Sequence, residues 1–426
     1  MRNKKRRTSF IAAAVILLAA GWVWPEDWPQ WRGLQRDGIS RETGLLKEWP
    51  KEGPKLLWQV SDLGGGYATP SVAGGRIYLM CNKGLEDEFV KALTVKDGSL
   101  LWSARIGKVG NPDQNPNFPA ARSTPTVDGS LLYALGSDGD LACLEAATGK
   151  IRWKKSLRTD FSGLPPTWAY AESPLVDGDW VVVTPGGKES TLAALDKKSG
   201  EVIWKSAIPG GDMAGYASLI VVNTGGVKQY VAYTANGLVG VEAKTGKFLW
   251  RYERTKGQLG MSMMTPVAHD GLVYSGAGRS GGAAVRLNAN QGTVTAEEAY
   301  FDMKLPTAIG GAVLVGDYLY GSGQNLVCAE FKTGQIKWAE RSIAPASLCF
   351  ADGLLYLHGE DGTVALVEAT PEIYRERGRF TPPNPPQHTK RMEKAWTYPV
   401  IADGRLYIRD IDCLWCYDIK EPAISK

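Results

Sequence analysis

The sequence is poor in the residues that most often carry enzyme chemistry. It has three histidines in 426 residues, His269, His358 and His388, and no two of them have a spacing typical of a metal site. It has no GxSxG turn and no HExxH helix that would organise a nucleophile or a zinc ion. The sequence therefore predicts no catalytic residue and no metal ligand.

Cysteine is also scarce, and the six cysteines do not form the pattern of a disulfide framework. Cys413 and Cys416 are three residues apart in a predicted strand. They therefore point to opposite faces, with Cα atoms about 10 Å apart, which is beyond disulfide reach. A bridge between Cys81 and Cys349 remains open.

The chain lacks an excess of one charge once its first seven residues are set aside. Five of the 49 Lys and Arg lie there, which leaves 44 basic residues against 45 acidic ones. No nucleic-acid partner is expected from this balance.

No apolar run is long enough to be an obvious membrane span. The run from Phe10 to Ala20 has 11 residues, whereas a spanning helix needs about 20. Because basic residues precede the run and small residues end it, residues 1–24 are predicted to be a signal peptide or an uncleaved anchor. We expect an exported protein of the periplasm or cell envelope, with membrane association only through residues 10–24.

Glycine and tryptophan, by contrast, are abundant, with 50 and 15 residues. Segments such as "ATGKIRW" and "KTGKFLW" repeat a Gly turn four residues before a Trp. Seven segments of the type "TPTVDGSLLY" align without a gap, and an eighth, looser copy begins at Ala217. Each indicates a strand, a tight turn and a strand, with two more strands following. The pattern predicts an all-β fold, an eight-bladed β-propeller of four-stranded antiparallel blades.

The last repeat ends after its third strand, and a matching fourth strand surrounds Trp58. We therefore expect the N-terminal strand to close the last blade. The fifth blade has no Trp, and its substituted position is placed near Ala296. The tryptophans expected to dock between blades are Trp58, Trp102, Trp153, Trp204, Trp250, Trp338 and Trp396.

The predicted organisation has a leading segment at 25–54, the propeller at 55–420 and a tail at 421–426. Residues 370–394 form a Pro-rich, basic insertion, predicted between the third and fourth strands of the seventh blade. Its composition fits a solvated excursion or a docking surface.

The [DE]-x3-G-x3-W pattern resembles the tryptophan-docking repeat of the pyrroloquinoline-quinone-like (PQQ-like) β-propellers. That family includes quinone-dependent dehydrogenases and the propeller lipoprotein of the outer-membrane barrel assembly machinery, so the resemblance implies a fold but not one function. The dehydrogenases carry adjacent cysteines over the quinone, a calcium site and a catalytic Asp. No two cysteines are adjacent here, so we expect neither PQQ nor calcium as a cofactor.

Loops that precede the innermost strands are predicted to gather on one face. Aromatic and Arg side chains at a propeller mouth suit ligand or peptide capture, although packing of the loops is an equal alternative. Arg286 is predicted in the small core position of the fifth blade, where it would bind an anionic group unless the strand slips and turns it outward. The other candidate binding residues are Tyr67, Arg122, Trp168, Tyr170, Glu172 and Tyr216.

The sequence thus favours an exported, non-catalytic, monomeric propeller that binds a protein or envelope polymer through its loop face. Two enzymatic alternatives remain. One is a shortened quinone-dependent oxidoreductase. The other is an enzyme acting on envelope glycans, with Glu172 or Asp212 as the acid.

Overall fold

Eight four-stranded antiparallel units account for nearly all regular structure in a computed structural model of the chain. The structure describes residues 27–113, 120–341, 343, 345–388 and 394–422. The predicted signal peptide or anchor, residues 1–24, lies outside the described residues. The prediction of an eight-bladed propeller is confirmed.

Each blade is a sheet whose first strand lies nearest the central axis, and first strands contact one another between blades 1, 2 and 3 and between blades 5, 6 and 7. In chain order, blades 1 to 4 consist of Ser71–Ala73, Arg76–Lys83, Asp87–Thr94 and Leu100–Lys108; Thr126–Asp128, Leu131–Leu135, Asp140–Glu145 and Ile151–Ser156; Leu175–Asp177, Trp180–Val183, Leu192–Asp196 and Val202–Ser206; and Ile220–Thr224, Val227–Thr234, Gly237–Glu242 and Phe248–Tyr252.

The second half of the ring repeats this order, and a short strand, Ile39–Ser40, pairs in parallel with the first strand of blade 7. Blades 5 to 8 consist of Val267–His269, Leu272–Gly276, Gly282–Asn290 and Thr293–Asp302; Ala312–Val315, Tyr318–Ser322, Leu326–Glu330 and Ile336–Glu340; Ala346–Ala351, Leu354–Gly359, Val364–Glu368 and Glu376–Phe380; and Val400–Ala402, Arg405–Asp410, Cys413–Asp418 and Lys55–Val60. The described helices, Leu157–Asp160, Gln258–Gly260 and Gly278–Ser280, have at most four residues each, far too few to span a bilayer.

The ring is closed by the two ends of the propeller. Lys55–Val60 pairs antiparallel with Cys413–Asp418, with Trp58 opposite Cys416, so the predicted closure is confirmed. Across this junction, the fully buried Arg409 of blade 8 donates to the carbonyl oxygens of Ala68 and Met80, both at 2.8 Å. The closing blade is therefore joined to blade 1 by buried charge-assisted hydrogen bonds.

Between blades, the same tryptophan contact recurs. The indole of Trp102 lies over the turn of blade 2, where a Cβ on Gly149 would come within 2.5 Å of the ring. Its Nε1 donates to the Ala146 carbonyl at 3.2 Å. Gly149 therefore serves both its own turn, at φ +74°, and the close approach of the ring. Six blades place a fourth-strand Trp opposite a small residue: Trp58–Cys416, Trp102–Ala92, Trp153–Cys143, Trp204–Ala194, Trp250–Gly240 and Trp338–Cys328.

The fifth and seventh blades fill this position differently from the prediction. In blade 5, Tyr300 pairs with Ala284, packs on Gly334 and donates to the Phe331 carbonyl at 2.8 Å. The prediction near Ala296 was wrong because the hairpin is longer than in other blades and its turn glycine, Gly292, packs on nothing.

In blade 7 the corresponding strand residue is Gly378, opposite Leu366. The space beside it is filled by Trp49 from the N-terminal segment, 5.7 Å from Tyr356 and 5.4 Å from Phe380 between ring centroids. Trp396 lies outside the strands, so its predicted docking position was wrong. The fourth strand, Glu376–Phe380, lies inside 370–394, which is therefore not an insertion between the third and fourth strands.

The cysteines are small core residues. All six are buried free thiols, including Cys81 and Cys349, whose possible bridge is not formed.

Candidate functional site

Loops from most of the blades meet at one end of the central axis and enclose a cavity of about 240 Å³. These loops precede the innermost strands, as predicted. We call this space the central cavity and the surface around it the loop face. The aromatic residues that line the central cavity are Trp31, Tyr67, Trp168, Tyr216, Trp396 and Tyr398. The other large side chains that line it are Arg122, Met261, Met263 and Ile309.

The aromatic side chains hold one another in place. The ring centroids of Tyr67 and Trp396 are 5.0 Å apart, and those of Trp31 and Tyr398 are 4.6 Å apart in an edge-on arrangement. The backbone amide of Trp168 donates to the Tyr216 hydroxyl at 2.9 Å. Such contacts leave the rings little freedom, so the cavity presents a preformed apolar surface.

Arg122 is the one charged side chain among the described residues that line this cavity. Burial lowers the pKa of Arg122, while Tyr67 and Glu88 oppose that shift. Glu88 is itself buried in blade 1, and burial raises its pKa to about 7, although it accepts hydrogen bonds from the amide and hydroxyl of Ser137. Its described lining therefore combines apolar walls with one positive charge and contains no carboxylate.

The floor of the cavity is an N-terminal stretch, residues 27–41, which we call the plug segment. Its Trp31 donates from Nε1 to the Thr265 hydroxyl at 2.9 Å, and its Arg32 donates to the Ala312 carbonyl. Through its backbone it also pairs with Val72 of blade 1 and Phe350 of blade 7. The plug segment thus crosses the channel between blades, and its Trp31 forms part of the wall of the central cavity.

Arg36 fixes the plug segment most deeply. Its guanidinium donates to the carbonyl oxygens of Ser173, Pro174 and Leu219 at 2.9, 3.1 and 2.9 Å. Burial lowers its pKa to about 10, and the nearby Glu172 opposes this shift. Because three carbonyl oxygens from blades 3 and 4 accept hydrogen bonds from one guanidinium, the plug segment is held in place as part of the fold.

The structure brings together four of the seven predicted binding residues. Tyr67, Arg122, Trp168 and Tyr216 line the central cavity. Tyr170 does not, because it is buried with its hydroxyl donating to the Pro185 carbonyl at 2.7 Å.

The acidic candidates are also absent from the cavity lining. Glu172 is buried beneath the loop face and accepts a hydrogen bond from the Thr184 amide, and burial raises its pKa to about 7. Asp212 is buried and binds Arg251 at 3.1 Å. Neither is placed as an exposed acid.

Arg286 is not in a core position. The small core residue of its strand is Ala284, and Arg286 is exposed, two residues further on and opposite Glu297. The predicted core position was wrong, and the strand register turns the side chain outward, which was the stated alternative.

Sequence reasoning missed several lining residues. Trp31 lies in a segment with no repeat to place it, and Trp396 was assigned to a blade contact. Tyr398 carries a signal, because it replaces the Thr or Ser that precedes the first-strand Pro in other blades, as at Thr69 and Ser173.

A family profile and a related sequence both connect this chain to the same group of proteins. A family profile described as "Outer membrane protein assembly factor BamB" matches residues 86–340. The outer membrane protein assembly factor BamB of Moranella endobia is 24% identical over 209 residues, which are 44% of this chain and 49% of that protein. This chain thus spans about half the length of that relative.

Solved structures show the same fold. BamB from Moraxella catarrhalis has a TM-score of 0.60 at 16% identity, covering 86% of this chain and 98% of that chain. The quinohemoprotein alcohol dehydrogenase ADHIIG from Pseudomonas putida HK5 has a TM-score of 0.62 at 13% identity, covering 94% of this chain and 81% of that chain. At these identities the likeness concerns the fold alone.

Proposed function

This chain belongs to the family of the outer membrane protein assembly factor BamB, and we propose that it is a non-catalytic propeller that binds a protein partner through its loop face. We place it on the periplasmic side of the outer membrane, as a component of outer-membrane protein assembly. The observation that carries the proposal is the central cavity, which is preformed and lined by aromatic side chains from the loop face.

The chemistry of the cavity supports binding rather than catalysis. Its described lining offers aromatic rings, methionines and one guanidinium, which are the side chains that most often anchor a protein interface. The two carboxylates that suited a glycan-active enzyme, Glu172 and Asp212, are both buried and hydrogen-bonded within the propeller. Among the lining residues that the structure describes, no hydroxyl or thiol lies beside a histidine or carboxylate that could act as its base.

The residues of the cavity do not fit a quinone with calcium. Calcium prefers carboxylate and carbonyl oxygen ligands, whereas the described lining contains no carboxylate. Cys413 and Cys416 belong to an outer strand of blade 8 and do not face the cavity. We therefore propose no quinone chemistry; a saturable change in tryptophan fluorescence on adding PQQ with calcium would contradict this.

Site-specific photocrosslinking in cells that make the full chain tests the proposal. A crosslinking residue at Leu259, 77% exposed in a loop of the loop face, should capture an outer-membrane assembly protein. The matched control is Leu100, 57% exposed beside a turn at the opposite end of blade 1, which should capture none. Trp168→Ala should reduce the Leu259 crosslink without lowering the melting temperature.

The opposite pattern would overturn the proposal. Capture from Leu100 but not from Leu259 would place the interface on the other face. Equal capture by the Trp168→Ala variant would show that the partner does not use the central cavity.

A further inference from the structure

A second cavity, of about 200 Å³, lies between blades 7 and 8 and is separate from the central cavity. Asp361 and His358 contribute from blade 7, and Asp410 and Trp415 from blade 8. Three prolines and His388 of the segment that joins the blades cover it. It contains two of the three histidines of the chain, although their sequence spacing gave no sign that they meet.

His358 lines this cavity and has a buried acceptor atom. The side chain is 1% exposed, and its Nδ1 lies 3.0 Å from the Thr397 carbonyl. A carbonyl oxygen only accepts, so Nδ1 carries the proton and Nε2 has a free lone pair. Nε2 is buried and has no hydrogen-bond partner among the described residues. Burial lowers the pKa of His358, which keeps the ring neutral at pH 7.

Asp410 presents a second acceptor. The residue is 4% exposed, and its Oδ2 lies 2.8 Å from Nε2 of His388. Its other oxygen, Oδ1, is buried and lacks a partner within the described chain. The cavity thus holds two buried acceptors, and no donor of the described residues satisfies either of them.

The arrangement suits a ligand with several separated donors better than a single ion. In the part of the chain that the structure describes, no three His, Cys, Asp or Glu side chains are gathered so as to hold a metal ion. A guanidinium carries five N–H donors in one plane, is weakly hydrated and stacks on aromatic rings. Trp415 and the prolines supply flat apolar walls, and the Asp361 and Asp410 carboxylates supply negative charge.

We propose that this cavity binds a guanidinium group between Asp410 Oδ1 and His358 Nε2, and that an arginine side chain of a polypeptide partner supplies it. The link to the loop face supports a polypeptide source. Thr397, which holds His358, lies between Trp396 and Tyr398, which line the central cavity. A polypeptide on the loop face therefore has both cavities within reach. The guanidinium site goes beyond the proposed function and does not depend on it, whereas the polypeptide source rests on the proposed function.

Proton NMR of the full chain tests this site, because only three histidines contribute imidazole signals. Ethylguanidinium should shift the signals of His358 and His388 saturably and leave that of the exposed His269 unchanged. Ethylammonium at the same ionic strength should bind about tenfold more weakly or not at all. Equal binding of the two cations would overturn the proposal, and this comparison needs only the unmodified chain.

Two variants and two peptides complete the test. Asp410→Asn should weaken ethylguanidinium binding by about tenfold or more, whereas His269→Gln, the matched control, should leave it unchanged. A short peptide with one arginine should displace ethylguanidinium, and the same peptide with citrulline should not. Binding of ethylguanidinium without displacement by the arginine peptide would overturn the polypeptide source; unchanged binding in a folded Asp410→Asn variant would overturn the site itself.

Discussion

Around the circumference of the disc, one contact is repeated at four blade junctions, from Trp58 on Gly98 to Trp204 on Gly246, whereas at the centre no two contacts are alike. The repeated contact places an indole ring over a turn glycine, with its N–H on a backbone carbonyl, as for Trp102 and Ala146. At the centre, Trp31, Arg32 and Arg36 each reach a different blade with different donors. The packing contacts between blades are therefore repeated, whereas the contacts of the plug segment differ from one blade to the next.

The largest expected effect comes from removing a ring at the circumference. Trp204, on a regular strand, and Trp49, supplied by the N-terminal segment, are 8% and 5% exposed. We expect Trp204→Ala and Trp49→Ala each to lower the free energy of unfolding by about 3–5 kcal/mol, because each leaves a large cavity. Chemical denaturation measures this.

A clear difference between the losses of unfolding free energy in these two variants would contradict the expectation. If Trp49→Ala costs less than about 1 kcal/mol, the N-terminal segment does not replace a blade tryptophan in energetic terms. Trp396→Ala is the control, since this partly exposed ring lines the central cavity, and we expect it to cost less than either.

A smaller effect is expected at the turn glycines. Gly149 and Gly129 both have positive φ, +74° and +58°. A Cβ at Gly149 would lie 2.5 Å from the Trp102 ring, whereas one at Gly129 would meet nothing within 4 Å. We expect Gly149→Ala to lower the free energy of unfolding by about 2–3 kcal/mol and Gly129→Ala to lower it by about 1 kcal/mol. Equal losses in thermal unfolding would mean that backbone strain alone, and not the ring contact, sets the requirement for glycine.

The smallest effect is expected at the centre, on changing pH. Burial raises the pKa of Glu172 from 4.5 to about 7, so between these values the folded chain binds more protons than the unfolded one. Stability contributed through this group therefore falls as pH rises through that window. Between pH 5 and pH 8, the free energy of unfolding of the unmodified chain should fall by about 2 kcal/mol more than that of the Glu172→Gln variant. Parallel denaturation curves for the two chains would show that Glu172 does not titrate in this range.

The circumference was predictable from the sequence because its signals are local. In blades 1 to 4 and in blade 6, the glycine, the small residue and the tryptophan lie within about a dozen residues of one another, so the repeat contains all three. Tyr300 was missed because the hairpin before it is longer than in other blades, which moves the position away from the turn glycine.

The centre was less predictable because its contacts join residues far apart in the chain. Arg36 donates to the carbonyl oxygens of residues 173, 174 and 219, and the sequence repeat does not predict such contacts. Loops preceding the first strands indicated four lining residues, since all such loops meet at one face. The plug segment required coordinates because it has no repeat to place it, whereas Tyr398 could have been found from its place in the repeat.

The pairing of Lys55–Val60 with Cys413–Asp418 also sets an order in time. A chain emerging from the ribosome, or threading through a membrane, delivers the first of these strands some 350 residues before its partner. Until then blade 1 has an uncovered flank, and Arg409 has not yet reached the carbonyls that it joins. The disc can thus be completed only after Asp418 has arrived, so a product truncated before Cys413 remains an open, unfinished arc with an exposed apolar edge.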